Sequence, residues 1–383
     1  MEKFFGKRFS DTKIKRRALA LSVCAFSLTA AMLFSQSRSG AFSSGNYVKE
    51  ASIFNGKQTY VTDSRLPSDS LAKTTHVIPL GSSFGIKLFT DGIIVASLTD
   101  IPSGAGNSCP AKEAGIRPGD YILSVSGSEV ENNAQLSNLI GSSQGQALEV
   151  EVRRGKQEFD TKITPVFSDG AFRTGMWVRD SAAGIGTLTF YNPDTGVFAG
   201  LGHGICDMDT NGLMSLDHGE PAEISLCGII AGTKDKPGQL QGYFASDEPM
   251  GTLLANNETG VYGRLDNVPA GELMEVMPKR EVTVGDVKLL VSIDDNGPQL
   301  YDARIEKINP RDQPTQNLLV VVTDERLLAA TGGIVQGMSG CPIIQEGRLA
   351  GAVTHVFVDD PKTGYGIYSE TMVMESVVFS MSD

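Results

Sequence analysis

Gly337-Met338-Ser339-Gly340-Cys341-Pro342, followed by Ile343-Ile344, a Gln345-Glu346-Gly347 turn and Leu349-Ala350-Gly351-Ala352-Val353-Thr354-His355-Val356-Phe357-Val358, is the stretch on which the fold turns. Glycines on both sides of Ser339 let the backbone bend sharply and leave the hydroxyl exposed. Such a turn also aims the amides of Gly337 and Ser339 at one point, where a tetrahedral intermediate would place its negative oxygen. Gly and Ser are common in plain turns as well. What separates this loop from a plain turn is its sequel, which reads as a short strand, a hairpin and a longer strand.

Working outward, the chain after Val166 is punctuated by glycine and rich in short strands. Gly184-Ile185-Gly186-Thr187-Leu188-Thr189-Phe190-Tyr191 and Gly196-Val197-Phe198-Ala199-Gly200-Leu201 read as hairpin strands, and only Met372 to Phe379 hints at a helix. That pattern suits a double β-barrel or a sandwich better than an α/β arrangement. Between His76 and Val166 the expected strands are Gly92 to Ser97, Asp120 to Val125 and Leu148 to Arg153, with a helix at Ala134 to Ile140. Residues 35–75 are rich in Ser, Thr, Gly and Lys and read as a linker.

A serine hydroxyl needs a base to take its proton as it attacks. The chain has four histidines, His76, His203, His218 and His355. His203 is framed by glycine in Ala199-Gly200-Leu201-Gly202-His203-Gly204-Ile205, a setting that presents the ring at a strand end. His218 beside Asp217 reads as a solvated loop residue, and His355 as one that shapes a pocket or a strand pairing. A zinc reading of His203, Cys206, Asp207 and Asp209 matches no known ligand spacing. No cofactor is expected.

The 383 residues carry a net charge of −12, with 40% hydrophobic residues, enough to bury one or two cores. Residues 1–17 nevertheless hold seven Lys or Arg against Glu2 and Asp11, and Ala18 to Phe34 is free of charge. The basic flank and apolar run read as a signal anchor, with a cleaved signal peptide as the alternative, so the chain after Phe34 is expected outside the cytoplasm. The acidic remainder gives no support to nucleic-acid binding. Of the five cysteines, Cys24 lies in the apolar run; Cys109, Cys206, Cys227 and Cys341 permit a disulfide without requiring one. Free thiols are the favoured reading, with Cys206 and Cys227 the one candidate pair.

The run from Gly337 to Tyr368 resembles the C-terminal part of chymotrypsin-like serine peptidases. In that likeness Val353, Thr354, His355 and Val356 form the strand edge that meets the substrate, and Gly364-Tyr365-Gly366-Ile367-Tyr368 closes the specificity pocket. Thr331-Gly332-Gly333-Ile334-Val335-Gln336 and Gly351-Ala352-Val353-Thr354-His355-Val356 resemble, more narrowly, the sporulation stage IV B (SpoIVB) serine peptidase family. Ala114-Gly115-Ile116-Arg117-Pro118-Gly119-Asp120-Tyr121-Ile122-Leu123-Ser124-Val125-Ser126-Gly127 closely resembles bacterial PDZ domains of the HtrA kind, which bind peptides by strand addition. The resemblance implies a mainly β protein: a basic cytoplasmic segment 1–17, a transmembrane anchor 18–34, a linker 35–75, a PDZ domain 76–166, and a chymotrypsin-like double β-barrel 167–383. Ser83, Phe84, Gly85 and Ile86 are placed as the PDZ peptide-binding loop, with an ordinary amphipathic strand as the other reading.

By match to the stage IV B family, Ser339 is the nucleophile and His203 the base. Gly337 and Ser339 supply the oxyanion amides, and Asp324 is the acid that orients His203, with Asp207 and Asp209 as alternatives. The implied biology is an endopeptidase of the space between the two spore membranes. It cleaves a membrane-bound regulator of an intramembrane protease, activates the late mother-cell sigma factor, and cuts itself near its N-terminus. The alternatives are an inactive PDZ adaptor and an HtrA-like quality-control protease of the envelope.

Overall fold

The computed structural model describes residues 75–104, 106–308 and 313–381. The basic segment 1–17, the apolar run 18–34 and all but the end of the linker lie outside the described residues. Among the described residues no helix is long and apolar enough to cross a membrane.

Strand β1 (His76–Pro79) leads into β2 (Ser83–Leu98), a strand of 16 residues whose two halves serve different ends of one continuous sheet. Its second half pairs Ile93 and Ile94 with Ile122 and Tyr121 of β3 (Tyr121–Val125); β4 (Leu148–Arg154) and β5 (Gln157–Ile163) extend that sheet. Helices α1 (Pro110–Glu113) and α2 (Asn133–Ser142) accompany it, and Ile93, Val95, Ile116, Ile122, Val150 and Ile163 form the core. The Asn132 side chain caps α2, accepting from the Gln135 amide at 3.0 Å. Asp120 is buried in the Pro-Gly-Asp turn. It accepts from the Arg117 amide at 2.8 Å and pairs with Arg154 at 2.7 Å, which fixes the turn that feeds β3.

The first half of β2 lies in the other end of that sheet. Ser83 to Phe89 pair with Thr187 to Ser181 of β6 (Met176–Asn192) on one edge. β7 (Val197–Gly200), β8 (His218–Ile230), β9 (Gln239–Pro249), β10 (Gly251–Asn257) and β11 (Gly260–Leu265) complete this sheet. β6 pairs with β7, β7 with β11, and β11 with β10, while β8 lies between β9 and the other edge of β2.

Ser83, Phe84, Gly85 and Ile86 are therefore not a peptide-gripping loop. They are strand: all four pair with β6 on one edge, and Gly85 and Ile86 pair with β8 on the other. Phe84, Ile86 and Leu88 alternate inward as an amphipathic strand does, and Phe84 is wholly buried against Leu188, Phe198 and Leu201. Paired with β6 throughout and with β8 from Gly85 onward, this segment is sheet rather than a loop presenting its amides to a ligand.

The last part of the chain closes a barrel. β12 (Gly285–Val291), β13 (Gln299–Ile308), β14 (Leu318–Val322), β15 (Pro342–Gln345), β16 (Arg348–Val356) and β17 (Thr363–Tyr368) run in the order β12-β13-β14-β17-β16-β15, and β15 returns to β12. Strict alternation makes it: Val287, Leu289 and Val291 face inward from β12, and Tyr301, Ala303 and Ile305 from β13. On the outer face, Arg304 meets its cross-strand partner Asp286 at 2.8 Å, and Lys288 pairs with Asp302. Helix α3 (Glu325–Thr331) links β14 to the Ser339 loop, and α4 (Ser369–Ser380) follows β17.

β16 is the strand where barrel and sheet meet. Ala350 and Val353 pack into the barrel core, while Leu349 and Ala352 pack with Phe190, Tyr262, Ile367 and Met372. Buried on both faces, it reads as a continuous apolar run rather than an alternating one. Thr354 and His355, near its end, emerge at the junction of the two halves. The described residues are thus mainly β, with one closed barrel among them.

Candidate functional site

The Ser339 loop is built against β6. Thr187 donates its amide to the Ser339 carbonyl at 2.9 Å and its Oγ1 to the Gly337 carbonyl at 2.8 Å. Thr189 Oγ1 donates to the Gly340 carbonyl at 2.8 Å. Gly340 has φ +96°, and a Cβ there would sit 2.1 Å from the Thr187 carbonyl oxygen and 2.6 Å from the Leu201 nitrogen. Only glycine fits, because both obstacles are backbone. Within the loop Met338, Gly340 and Cys341 donate to Val335, Val353 and Met338. The amides of Gly337 and Ser339 have no acceptor among the described residues.

The same Thr187 steadies the histidine loop, its carbonyl accepting from the Leu201 amide at 3.2 Å. Leu201, at φ +65°, holds a backbone conformation that side chains other than Gly, Asn and Asp seldom take, a kind of strain that clusters at functional sites. It turns the chain so that His203 follows directly on β7. A Cβ on Gly202 would lie 3.0 Å from Thr354 Cγ2, so this loop packs on the end of β16.

Ser339 and His203 thereby both meet the end of β16, Ser339 at Thr354 and His203 at His355, with no direct hydrogen bond between the two among the described residues. Ser339 Oγ donates to the Thr354 carbonyl at 2.8 Å. The His203 ring lies against that of His355, centroids 4.8 Å apart and planes tilted by 32°. His203 Nδ1 lies 2.8 Å from the Gly204 carbonyl. A carbonyl only accepts, so Nδ1 carries the proton and Nε2 keeps its lone pair. Burial holds His203 below the usual imidazole range. Burial first, and then the neighbouring His203, push His355 down to about 3. Both rings are neutral at physiological pH.

Asp324 does not join them. Its carboxylate caps α3, accepting from the amides of Arg326 at 2.9 Å and Leu327 at 3.4 Å, and takes the Asp302 amide at 3.1 Å. The Arg326 guanidinium adds bonds at 3.1 and 2.8 Å and, with those amides, holds the acid well below the usual carboxylate range. The expected orienting acid is a helix cap. Asp207 is likewise engaged, by Arg179 at 2.5 Å and by the Asp209 and Thr210 amides and the Thr210 hydroxyl, and Asp209 pairs with Arg179 at 2.5 Å.

The expected substrate edge is partly occupied. The Val353 amide and carbonyl bond Cys341 and Gly340, the Thr354 carbonyl holds the serine, and Val356 pairs with Gly364 of β17. Cys341, behind the nucleophile loop, donates to Thr187 Oγ1 at 3.5 Å, and burial pushes its thiol up to about 12, which makes it inert. Cys109, Cys206, Cys227 and Cys341 are all free, so the Cys206–Cys227 pair does not form; both of those thiols are exposed. The part played by Thr187 is absent from the sequence reading. Nothing in a Gly-Thr-Leu-Thr strand marks one threonine as the link between two loops.

The family model for the SpoIVB peptidase S55 matches residues 170–373, and a PDZ domain model matches residues 106–154. Serine protease HTRA1 of Xenopus tropicalis is 36% identical over 56 residues, 15% of this chain and 12% of the relative, so the chain spans only that small part of the curated relative it matches. The solved HtrA-type protease AlgW with a decapeptide is 14% identical, with 52% of this chain and 54% of that one covered and a TM-score of 0.32. The active form of the Rv3671c protease from M. tuberculosis is 14% identical, with 53% and 76% covered and a TM-score of 0.31. A likeness that weak fixes neither fold nor function. The S55 match covers more than half of the chain and takes in both glycine-framed loops, so the chain belongs to the SpoIVB peptidase S55 family of serine peptidases and carries a PDZ domain ahead of its catalytic loops.

Proposed function

We propose that this protein is a serine endopeptidase in which Ser339 attacks the scissile carbonyl and His203 takes, then returns, the proton. The observation that carries this reading is the meeting of Ser339 Oγ, the Thr354 carbonyl and the His203–His355 ring pair at the junction of barrel and sheet. Nε2 of His203 is the free base position, and the unclaimed amides of Gly337 and Ser339 are the donors for an oxyanion. Ser339 rests on the Thr354 carbonyl, an acceptor that a substrate amide would claim. Substrate binding thus frees the hydroxyl to turn toward His203, and the acyl-enzyme that follows is hydrolysed by water.

In this reading the barrel of β12 to β17 is the second lobe of a chymotrypsin-like pair, and the sheet of β1, the first half of β2, β6, β7, β10 and β11 is the first. The PDZ region's peptide acceptor passes from Ser83–Ile86 to the Met176–Arg179 part of β6, which runs beside α2 over apolar Leu136 and Ile140. The family supports a role in sporulation: the substrate is a membrane-bound regulatory protein, the enzyme is tethered outside the cytoplasm, and it cuts itself near its N-terminus. A fluorophosphonate probe tests the chemistry. It should label the full chain at Ser339, fail on Ser339→Ala, and label His203→Ala far more slowly. A parent protein that binds peptide yet takes no label is an adaptor, and identical N-terminal trimming in Ser339→Ala assigns that cut to another enzyme.

A further inference from the structure

Two imidazoles lie against one another at this site, and proton transfer from Ser339 uses one. His355 is the one left over: among the described residues its buried Nδ1 has no hydrogen-bond partner, so the ring is held by packing alone. Its ring lies against His203, and the carbonyl of the preceding residue holds the nucleophile. On its other side His203 finds the Gly204 carbonyl, where serine peptidases of the familiar kind have a carboxylate. Asp324, Asp207 and Asp209 are all spent on arginines and backbone amides.

When His203 accepts the serine proton it becomes a cation at a half-buried position. A backbone carbonyl can hold Nδ1–H but brings no charge. The face of a neutral aromatic ring does attract a cation. We propose that His355 is the positioning residue of this site: its ring fixes the plane of His203 and lies against the imidazolium from the ring side, while the Gly204 carbonyl holds the Nδ1 edge where an orienting acid stands in other serine peptidases. This rests on the serine peptidase reading, and no bond forms or breaks at His355.

The experiment follows saturable labelling of Ser339 by a fluorophosphonate in the full chain, separating the maximal rate from the half-saturating concentration, with thermal unfolding as the check on folding. His355→Ala should lower the maximal rate by about 30-fold or more and leave half-saturation within about twofold, the signature of a transition-state effect. His355→Phe, which keeps a ring face, should recover to within about fivefold of the parent, whereas His355→Leu, which fills the space without one, should not. A parental rate in His355→Ala overturns the proposal. So does His355→Phe as slow as a folded His355→Leu, since an imidazole nitrogen would then be doing the work. If His355→Ala fails to fold, the Phe and Leu pair decides alone. A parent unlabelled at Ser339 removes the peptidase reading itself, which separates that failure from this one.

Discussion

At the scale of single residues, the chemistry depends on how burial sets protonation. His203 has its pKa lowered by desolvation, which disfavours the charged ring. A base is useful only while neutral, so the acid limb of the rate profile should follow this group downward. Below its ordinary value of about 6.5 a free imidazole charges, whereas His203 stays neutral to lower pH. The pH dependence of fluorophosphonate labelling should therefore show its acid midpoint below about 6.5. A midpoint at or above that value contradicts the burial described here. Ser339 and His203 are legible in the sequence because glycine on both sides is a local signal that needs no knowledge of the fold. Thr187 is not, since its bonds to Ser339, Gly337 and Leu201 join parts of the chain that only the folded protein brings close.

At the scale of elements, α3 is the case where a residue read for chemistry turns out to serve structure. Asp324-Glu325-Arg326-Leu327-Leu328 with Gly332 behind it carries the marks of a short capped helix: Asp at the N-cap, and glycine at φ +74° after the last turn. The family match draws the eye to Asp324 as an acid and away from those marks. The hairpin of β15 and β16 and the helices near Ala134 and Met372 are legible because each is local, with periodicity and turn residues in one window. Asp324→Ala should cost about 1–2 kcal/mol in unfolding free energy by loss of the cap. Asp324→Asn keeps a capping oxygen and should label at Ser339 at close to the parental rate. The pH sign follows from the depressed pKa: the carboxylate's contribution is full above its unfolded value of about 3.9 and is lost as pH falls through the folded value. Acid unfolding of Asp324→Ala should accordingly be less steep than that of the parent. A large fall in labelling of Asp324→Asn at unchanged thermal stability would return this residue to His203.

At the scale of the whole molecule, β2 and β6 each run from the PDZ core into the sheet that carries the site. Ile93, Val95, Met176 and Val178 pack in one core, and Phe84, Ile86 and Leu188 in another, though each set lies on the same pair of strands. A sequence reading places a boundary between residues 166 and 167 because composition changes there. It has no means of seeing that a strand begun at Ser83 is completed by partners from Thr187 and His218 onward, since pairing across a hundred residues leaves no local mark. Arg179 adds a second tie, reaching from β6 to Asp207 and Asp209 in the loop after His203. A polypeptide starting at residue 167 would lack β1 and β2, leaving Ser181 to Thr187 as an unpaired edge with Thr187 still required to hold both loops. It should show no sharp thermal transition and take no label, while residues 75–383 should unfold cooperatively and react at Ser339. Circular dichroism melts of the two, run beside the labelling assay, check this. Cooperative melting together with labelling of the shorter polypeptide would mean that the first half of β2 is dispensable to the catalytic sheet, and that the two cores are joined only in passing.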